Sequence, residues 1–314
     1  MQCPENNSRV IKIKVSIGAK PLISLPKVAS LFIKCGKYSS RIAPLIKVGA
    51  LATSELTKKG LSGLISIQVE DQEPRTSCLR FDSSINDIHG TPMIPDPYCL
   101  ATNGFSDLVN EFENTYPLPP WKERIDLAIW RGATTGGTSL DENNIRFLPR
   151  YLLCIISSKN KSLLDAKFSY AVESKSPIDQ EKILTFLSYK RILSNMIRPR
   201  EFALYKWIID IDGSVNSWGL LWKLLSGSCI LRVLSKRKQW YYHMLNPMEH
   251  YVPIKEDMSD LKEKLVWCKD NQDICNQIAY NGKQLARQVV RDLDLSLSDS
   301  IELYINKLIH GDQI

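Results

Sequence analysis

Several chemistries are excluded by what this sequence has little of. Histidine occurs only four times in 314 residues, and no His–Ser–Asp order of the hydrolase kind stands out. His243 and His250, set in an aromatic stretch, read as packed, hydrogen-bonded side chains rather than catalysts. The eight cysteines form no C-x-x-C pair and have no His at zinc-ligand spacing, which argues against a redox dithiol or a zinc finger. The closest two, Cys268 and Cys275, lie inside predicted helix. No stretch approaches the roughly 20 apolar residues that span a bilayer. The opening residues, MQCPENNSRVIKIKV, lack the apolar core of a signal peptide. Neither G-x-G-x-x-G nor a Walker A sequence is present, which weakens an NAD-type oxidoreductase. These absences lead to the expectation of a cytoplasmic protein in a reducing compartment, its thiols free and buried.

What is present is ordinary for a globular chain: 44% apolar and 24% charged residues. The net charge of +7 admits a phosphate-bearing ligand, a membrane surface or a polyanion. The basic residues are spread out, and the densest run, Lys236-Arg237-Lys238, is short, so a solvated basic face is favoured and no nucleic-acid partner is expected.

Patterning divides the chain. Residues 10–70 hold short apolar runs, VIKIKVSI and GLISIQV, and a predicted helix over 27–34. Residues 71–105 read as loops because Pro92, Pro95 and Pro97 interrupt them. After a helix over 105–114, Pro117, Pro119 and Pro120 make a stiff connector. From 123 onward strands alternate with helices: strands at 125–130, 163–169, 206–213, 229–235 and 250–254, and helices at 143–158, 179–195, 217–227, 258–269, 271–289 and 297–309. That alternation predicts a parallel sheet covered on both faces, a doubly wound α/β domain. The domains are accordingly placed at 1–122, 123–295 and 296–314, the last a helix that can pack back on the first domain.

In such a sheet, ligands sit beyond the carboxyl ends of the strands. Two strand ends carry unusual loops. One is the turn Arg131-Gly132-Ala133-Thr134-Thr135-Gly136-Gly137. Its small residues let backbone N–H groups approach an anion, the following helix N-terminus favours negative charge, and Arg150 in that helix has a fork that matches phosphate. A plain surface turn is the competing reading. The other is Asp210-Ile211-Asp212-Gly213-Ser214-Val215-Asn216-Ser217, which opens a helix with Ser217 at its N-cap. Asp210 and Asp212 leave a divalent ion open against turn and ribose chemistry.

At this point the residues resemble a known family. AIWRGATTG, YKWIIDIDG, SWGLLWKLLSGSCIL, WYYHMLNPMEHYVPIKEDMSDL and IAYNGKQLA, in this order over about 121–285, are similar to the capsule-associated proteins, lipopolysaccharide-modifying transferases and protein O-glucosyltransferases of glycosyltransferase family 90. The first 70 residues carry little of the resemblance, while RFDSSINDIHGTPMIPDPY looks like the family's acceptor-side loop. The resemblance implies a GT-B fold, two Rossmann-like domains facing across a cleft. It implies a UDP-sugar donor, glucose or xylose in type, and inversion at the anomeric carbon, with no cofactor and no required metal. By position Gly132, Ala133 and Arg150 match diphosphate contacts, with Arg131 and Thr134 in the same turn. The segment from Ser214 to Gly219, preceded by Asp212 and Gly213, matches the second nucleotide loop with Val215, Asn216 and Ser217. That loop ordinarily ends in Arg where this chain has Gly219, leaving neutralisation to Arg150 and Arg131. The catalytic base falls to Asp96, with Asp87 as alternative and an Asp-Pro turn as the bland reading of Asp96. A hydroxyl on a glycan, lipid-linked or protein acceptor is implied, as in a lipopolysaccharide or capsule precursor. A bacterial cytoplasmic member, peripheral at the inner membrane through its basic charge, is expected. A non-catalytic nucleotide-sugar-binding protein of the same fold stays as an alternative, and an NAD-type oxidoreductase as a weaker one.

Overall fold

The structure, a computed structural model, describes residues 10–15, 22–24, 39–68, 78–84, 92–137 and 139–310. The predicted helix at 27–34 lies outside them. The described strands are β1 (Val10–Val15), β2 (Leu22–Ser24), β3 (Gly63–Gln68), β4 (Ser83–Ser84), β5 (Ile125–Ala133), β6 (Leu164–Tyr170), β7 (Tyr205–Asp210), β8 (Cys229–Val233), β9 (Arg237–Lys238) and β10 (Val252–Ile254). The chain forms two compact units: Met1–Gly104 with Lys236–His243 and Val289–Ile314, and Phe105–Ser235 with Met244–Gln288.

The second unit is a parallel sheet in the order β10-β8-β7-β5-β6. Strands β7 and β8 lie inside the sheet and are buried nearly throughout, which is why YKWIID and CILRV read as continuous apolar runs. The edge strand β6, LDAKFSY, alternates buried and half-buried residues instead. On one face Ala128, Trp130, Trp207, Ile209 and Leu231 pack with Leu153, Ile183, Leu187, Leu261 and Ile278 from four helices. The intervening Ile129, Ile208 and Ile230 are equally buried and point to the other face. Counted within this sheet, the strand order is 2-1-3-4-5, so the winding reverses between β5 and β7.

Proline sharpens the helix boundaries. The helix expected over 143–158 begins at Pro149, behind a separate 3-10 turn at Ile145–Phe147, and runs to Lys159. The one expected over 179–195 is Pro177–Tyr189, capped by the Ser176 hydroxyl, which accepts from the Asp179 N–H at 3.1 Å. In both, proline at the first helical position forgoes an N–H that would have lacked a partner. The helix expected over 217–227 is shorter, Leu220–Leu225, and ends before Gly227 at φ +68°.

The first unit shows no second Rossmann-like sheet among its described residues. Its described three-stranded sheet has the order β2-β1-β3 and both pairings are antiparallel. Strands β4 and β9 also pair antiparallel. Helix Ser39–Lys58, unforeseen in the weakly patterned start of the chain, buries Leu45, Val48, Ala52 and Leu56 along one face. It packs against helix Leu293–His310, with Lys47 to Asp294 at 2.8 Å and Lys59 to Glu302 at 3.1 Å on the rim. The division between units falls at Gly104, ahead of the proline connector placed at 117–120. Gly104 sits at φ +67°, and a Cβ there would lie 2.7 Å from Val290 Cγ1, so only glycine fits.

Candidate functional site

Strand β5 continues to Ala133, three residues past the expected end, so Arg131 and Gly132 are strand residues paired with Lys167 and Phe168 of β6. The bend itself is Thr134–Gly137, and the next α-helix starts only at Pro149, so no α-helix N-terminus directly follows the bend. Gly132 is required by packing: a Cβ would lie 2.6 Å from Cζ2 of Trp130. Thr134 is fully buried. Its Oγ1 donates to the Val172 carbonyl at 2.8 Å and accepts from the Val172 N–H at 2.9 Å, tying β5 to the loop after β6. Arg131 turns toward β6, where Nη2 meets Asp165 Oδ2 at 2.5 Å and Nη1 donates to the Trp130 and Asp165 carbonyls at 2.8 Å.

At the end of β7, Asp212 organises the turn. Its Oδ1 accepts from the Ser217 N–H at 2.8 Å and its Oδ2 from the Ser235 hydroxyl at 2.5 Å. Burial raises the Asp212 pKa, and the nearby Asp210 raises it further. Val215, Asn216 and Ser217 are buried. Ser217 is not the helix N-cap that its position predicts; Gly219 holds that place, and the Ser217 hydroxyl donates to Asp210 Oδ1 at 2.6 Å. Lys223 Nζ donates to the same oxygen at 2.6 Å, an ion pair almost wholly removed from water.

The two bends touch. A Cβ on Gly136 would stand 3.6 Å from the Gly213 carbonyl carbon, and one on Gly213 would lie 2.3 Å from Thr135 Oγ1 and 3.0 Å from Arg150 Nη2. Arg150, second residue of its helix, is the clamp. Its Nη1 donates to the Ala133 carbonyl at 3.1 Å and to Thr135 Oγ1; its Nε donates to the Asp212 carbonyl at 3.0 Å, and its Nη2 to the Ile211 carbonyl at 3.1 Å. The guanidinium carbon lies 5.7 Å from the Trp130 ring centre. Burial lowers the Arg150 pKa, an effect that Asp212 and Asp210 oppose. Its direct hydrogen-bond partners are neutral, so its charge is uncancelled at contact distance. Ser214, half-buried, accepts from the Gly136 N–H at 3.1 Å.

Two participants escaped the sequence reading. Glu173, in the loop after β6 at φ +61°, accepts from the Gly136 N–H at 3.2 Å and the Gly137 N–H at 3.3 Å, and from the Ser214 hydroxyl. Lys223 places its ammonium 3.5 Å from where a Cβ on Gly219 would be, so a cation stands beside the position at which the resembling family carries Arg. Its spacing, one helical turn beyond Gly219, was the available signal; for Glu173 there was none.

Asp96 lies in the first unit, buried, as the N-cap of helix Pro97–Ala101. Its Oδ1 accepts from the Tyr98 and Cys99 N–H groups at 3.0 Å each. Burial pushes its pKa from 3.8 to about 7 even though those bonds favour the anion. Asp87 lies outside the described residues.

A family model described as Glycosyl transferase family 90 matches residues 102–310. Uncharacterized protein 179R of Invertebrate iridescent virus 6 is 33% identical over 215 residues, 61% of this chain and 18% of that protein. Protein O-glucosyltransferase 3 of Homo sapiens is 29% identical over 189 residues, 59% of this chain and 32% of that protein. Protein O-glucosyltransferase 1 of Homo sapiens is 26% identical over 177 residues, 56% of this chain and 40% of that protein. The matches thus span well under half the length of these relatives.

Proposed function

Since the chain belongs to glycosyl transferase family 90, we propose that it transfers a hexosyl or pentosyl group, glucose first, from a UDP-sugar to a hydroxyl acceptor. One observation carries the reading: the bends at Thr134–Gly137 and Gly213–Ser217 adjoin at the reversal point of the sheet, clamped by a guanidinium whose direct partners are neutral. A diphosphate needs fixed N–H donors and a nearby positive charge; the bends carry the Gly136 and Gly137 N–H groups, which here donate to Glu173, and Arg150, which has no carboxylate among its hydrogen-bond partners. UDP-glucose is preferred because the human relatives are named protein O-glucosyltransferases and the motif set resembles UDP-sugar enzymes.

In this proposal the acceptor hydroxyl loses its proton to the Asp96 carboxylate. Its oxygen bonds to the anomeric carbon as the bond from that carbon to the diphosphate breaks, and UDP leaves with the electron pair and an inverted centre behind it. A carboxyl with a pKa near 7 is suited to taking a proton at neutral pH. The leaving charge is met by Arg150 and the bend donors, so no metal and no cofactor is assigned. A GT-B-type fold is kept as a proposal, with the second unit as its nucleotide-binding domain. The acceptor is proposed as a protein or glycan hydroxyl.

Isothermal titration of the full chain with UDP and UDP-glucose tests the reading. Dissociation constants within the usual range for such substrates, about 1 μM to 1 mM, support it. Absence of binding at millimolar nucleotide would contradict it.

A further inference from the structure

The N–H groups proposed above for the donor phosphates already hold an anion. Both Gly136 and Gly137 point their N–H groups at one oxygen of Glu173, at 3.2 and 3.3 Å, and the Ser214 hydroxyl donates to the other. These donors come from both bends, and the acid comes from a third loop, after β6. Resting on the donor reading, we propose that Glu173 is a built-in competitor for the donor: its carboxylate sits in the anion cradle and must swing out before a nucleoside diphosphate can sit there.

The local charges lead to the same point. Around the bends stand the cations Arg150, Lys223 and Arg232 and the carboxylates Asp210, Asp212 and Glu173. These balance, so a diphosphate entering without displacement would meet a region with no net positive charge. Asp210 is locked to Lys223 and Ser217, and Asp212 to the Ser217 N–H and Ser235, with Asp210 almost wholly buried. Glu173 and Asp212 both stand on loops without a cation in their hydrogen bonds, but Asp212 is held by its own turn, whereas Glu173 reaches the bends from a third loop and is half-buried, so it is the carboxylate placed to swing out. Its departure exposes two N–H groups and one hydroxyl and leaves the region at +1. The device has a use: it keeps these N–H and hydroxyl groups satisfied, and it sets donor affinity by the cost of displacing the acid.

The experiment measures UDP, UDP-glucose, pyrophosphate and uridine binding by titration calorimetry to the full chain and to Glu173→Gln and Glu173→Ala, with thermal unfolding to show that each is folded. The expected result is a 3- to 10-fold tighter UDP and pyrophosphate affinity in both variants, with Glu173→Ala the tighter, and uridine unchanged. Unchanged or weaker UDP binding in folded variants overturns the proposal while leaving the donor reading intact. Weaker binding of UDP-glucose alone also overturns it, because the acid would then be holding the sugar. Failure of wild type and both variants to bind UDP removes the donor reading itself, and this inference with it.

Discussion

Arg131 and Arg150 sit close together in the second unit, and their surroundings differ in kind. On the β6 side, Arg131 faces a carboxylate at 2.5 Å, with a side chain only 8% exposed, so its charge is spent inside the sheet. On the β7 side, Arg150 is gripped as firmly, but by three carbonyls and a hydroxyl. A guanidinium held by neutral dipoles keeps a field for a ligand to use, whereas one held by a carboxylate does not. Asp96 in the first unit belongs to the second kind, its oxygen held by two N–H groups, and the cost of burying that charge appears as a pKa near 7. The two arginines look alike in sequence; what separates them is that a carboxylate neutralises one and only dipoles hold the other.

The comparison breaks most visibly at Asp96. Asp96→Asn keeps a good N-cap but removes the proposed proton acceptor, so turnover is expected to fall about 10²- to 10⁴-fold with UDP affinity unchanged. In the wild type, kcat is expected to rise with pH through about 7 and level off, because only the anion accepts a proton. Stability has the opposite slope. The folded state holds this proton up to about pH 7 while the unfolded chain releases it near 3.8, so the stabilisation is complete below 3.8, declines as pH rises and is gone above about 7. Urea melts at pH 4 and pH 8 are expected to show this loss in the wild type, on the order of 2–4 kcal/mol, and to show it greatly reduced in Asp96→Asn. A turnover within twofold of wild type in that variant would remove Asp96 from the chemistry.

Arg150→Ala comes next. It unlinks the bends and removes the uncancelled charge, so UDP affinity is expected to fall about 100-fold and stability by about 2–3 kcal/mol, while Arg150→Lys, with charge but no fork, falls between. Titration calorimetry and chemical denaturation read both quantities. Arg131→Met should cost about 1–2 kcal/mol of stability by leaving Asp165 with only the Lys167 ammonium at 3.5 Å, yet change UDP affinity less than threefold. Equal losses of affinity in the Arg131 and Arg150 variants would erase the distinction. The smallest expected effect is that of Thr134→Val, which removes the bonds to Val172 and should lower stability by about 1 kcal/mol with little change in binding.

Much of the second unit was legible because burial on both faces writes itself as uninterrupted apolar runs, as in YKWIID and CILRV. Helix starts are blurred in the apolar pattern, while Pro149 and Pro177, each at the first helical position, mark where the helices begin. The first unit was harder. The face Leu45, Val48, Ala52 and Leu56 has helical spacing, but Pro44 and β-branched neighbours dilute it, and antiparallel partners such as β1 and β3 lie some 50 residues apart with no local signal of pairing. Within the site, the glycines and Arg150 could be named from spacing. Which partner each charge would find could not be, since Asp165 for Arg131 and Glu173 for the Gly136 and Gly137 amides are set by the pairing of β5 with β6 and by the loop that follows.

The most direct test of the diphosphate cradle is a crystal structure of the full chain soaked with UDP. The account predicts phosphate oxygens within hydrogen-bond distance of the Gly136 and Gly137 N–H groups, beside Arg150, with the Glu173 carboxylate displaced. Nucleotide bound elsewhere, with those N–H groups still on Glu173, would contradict it.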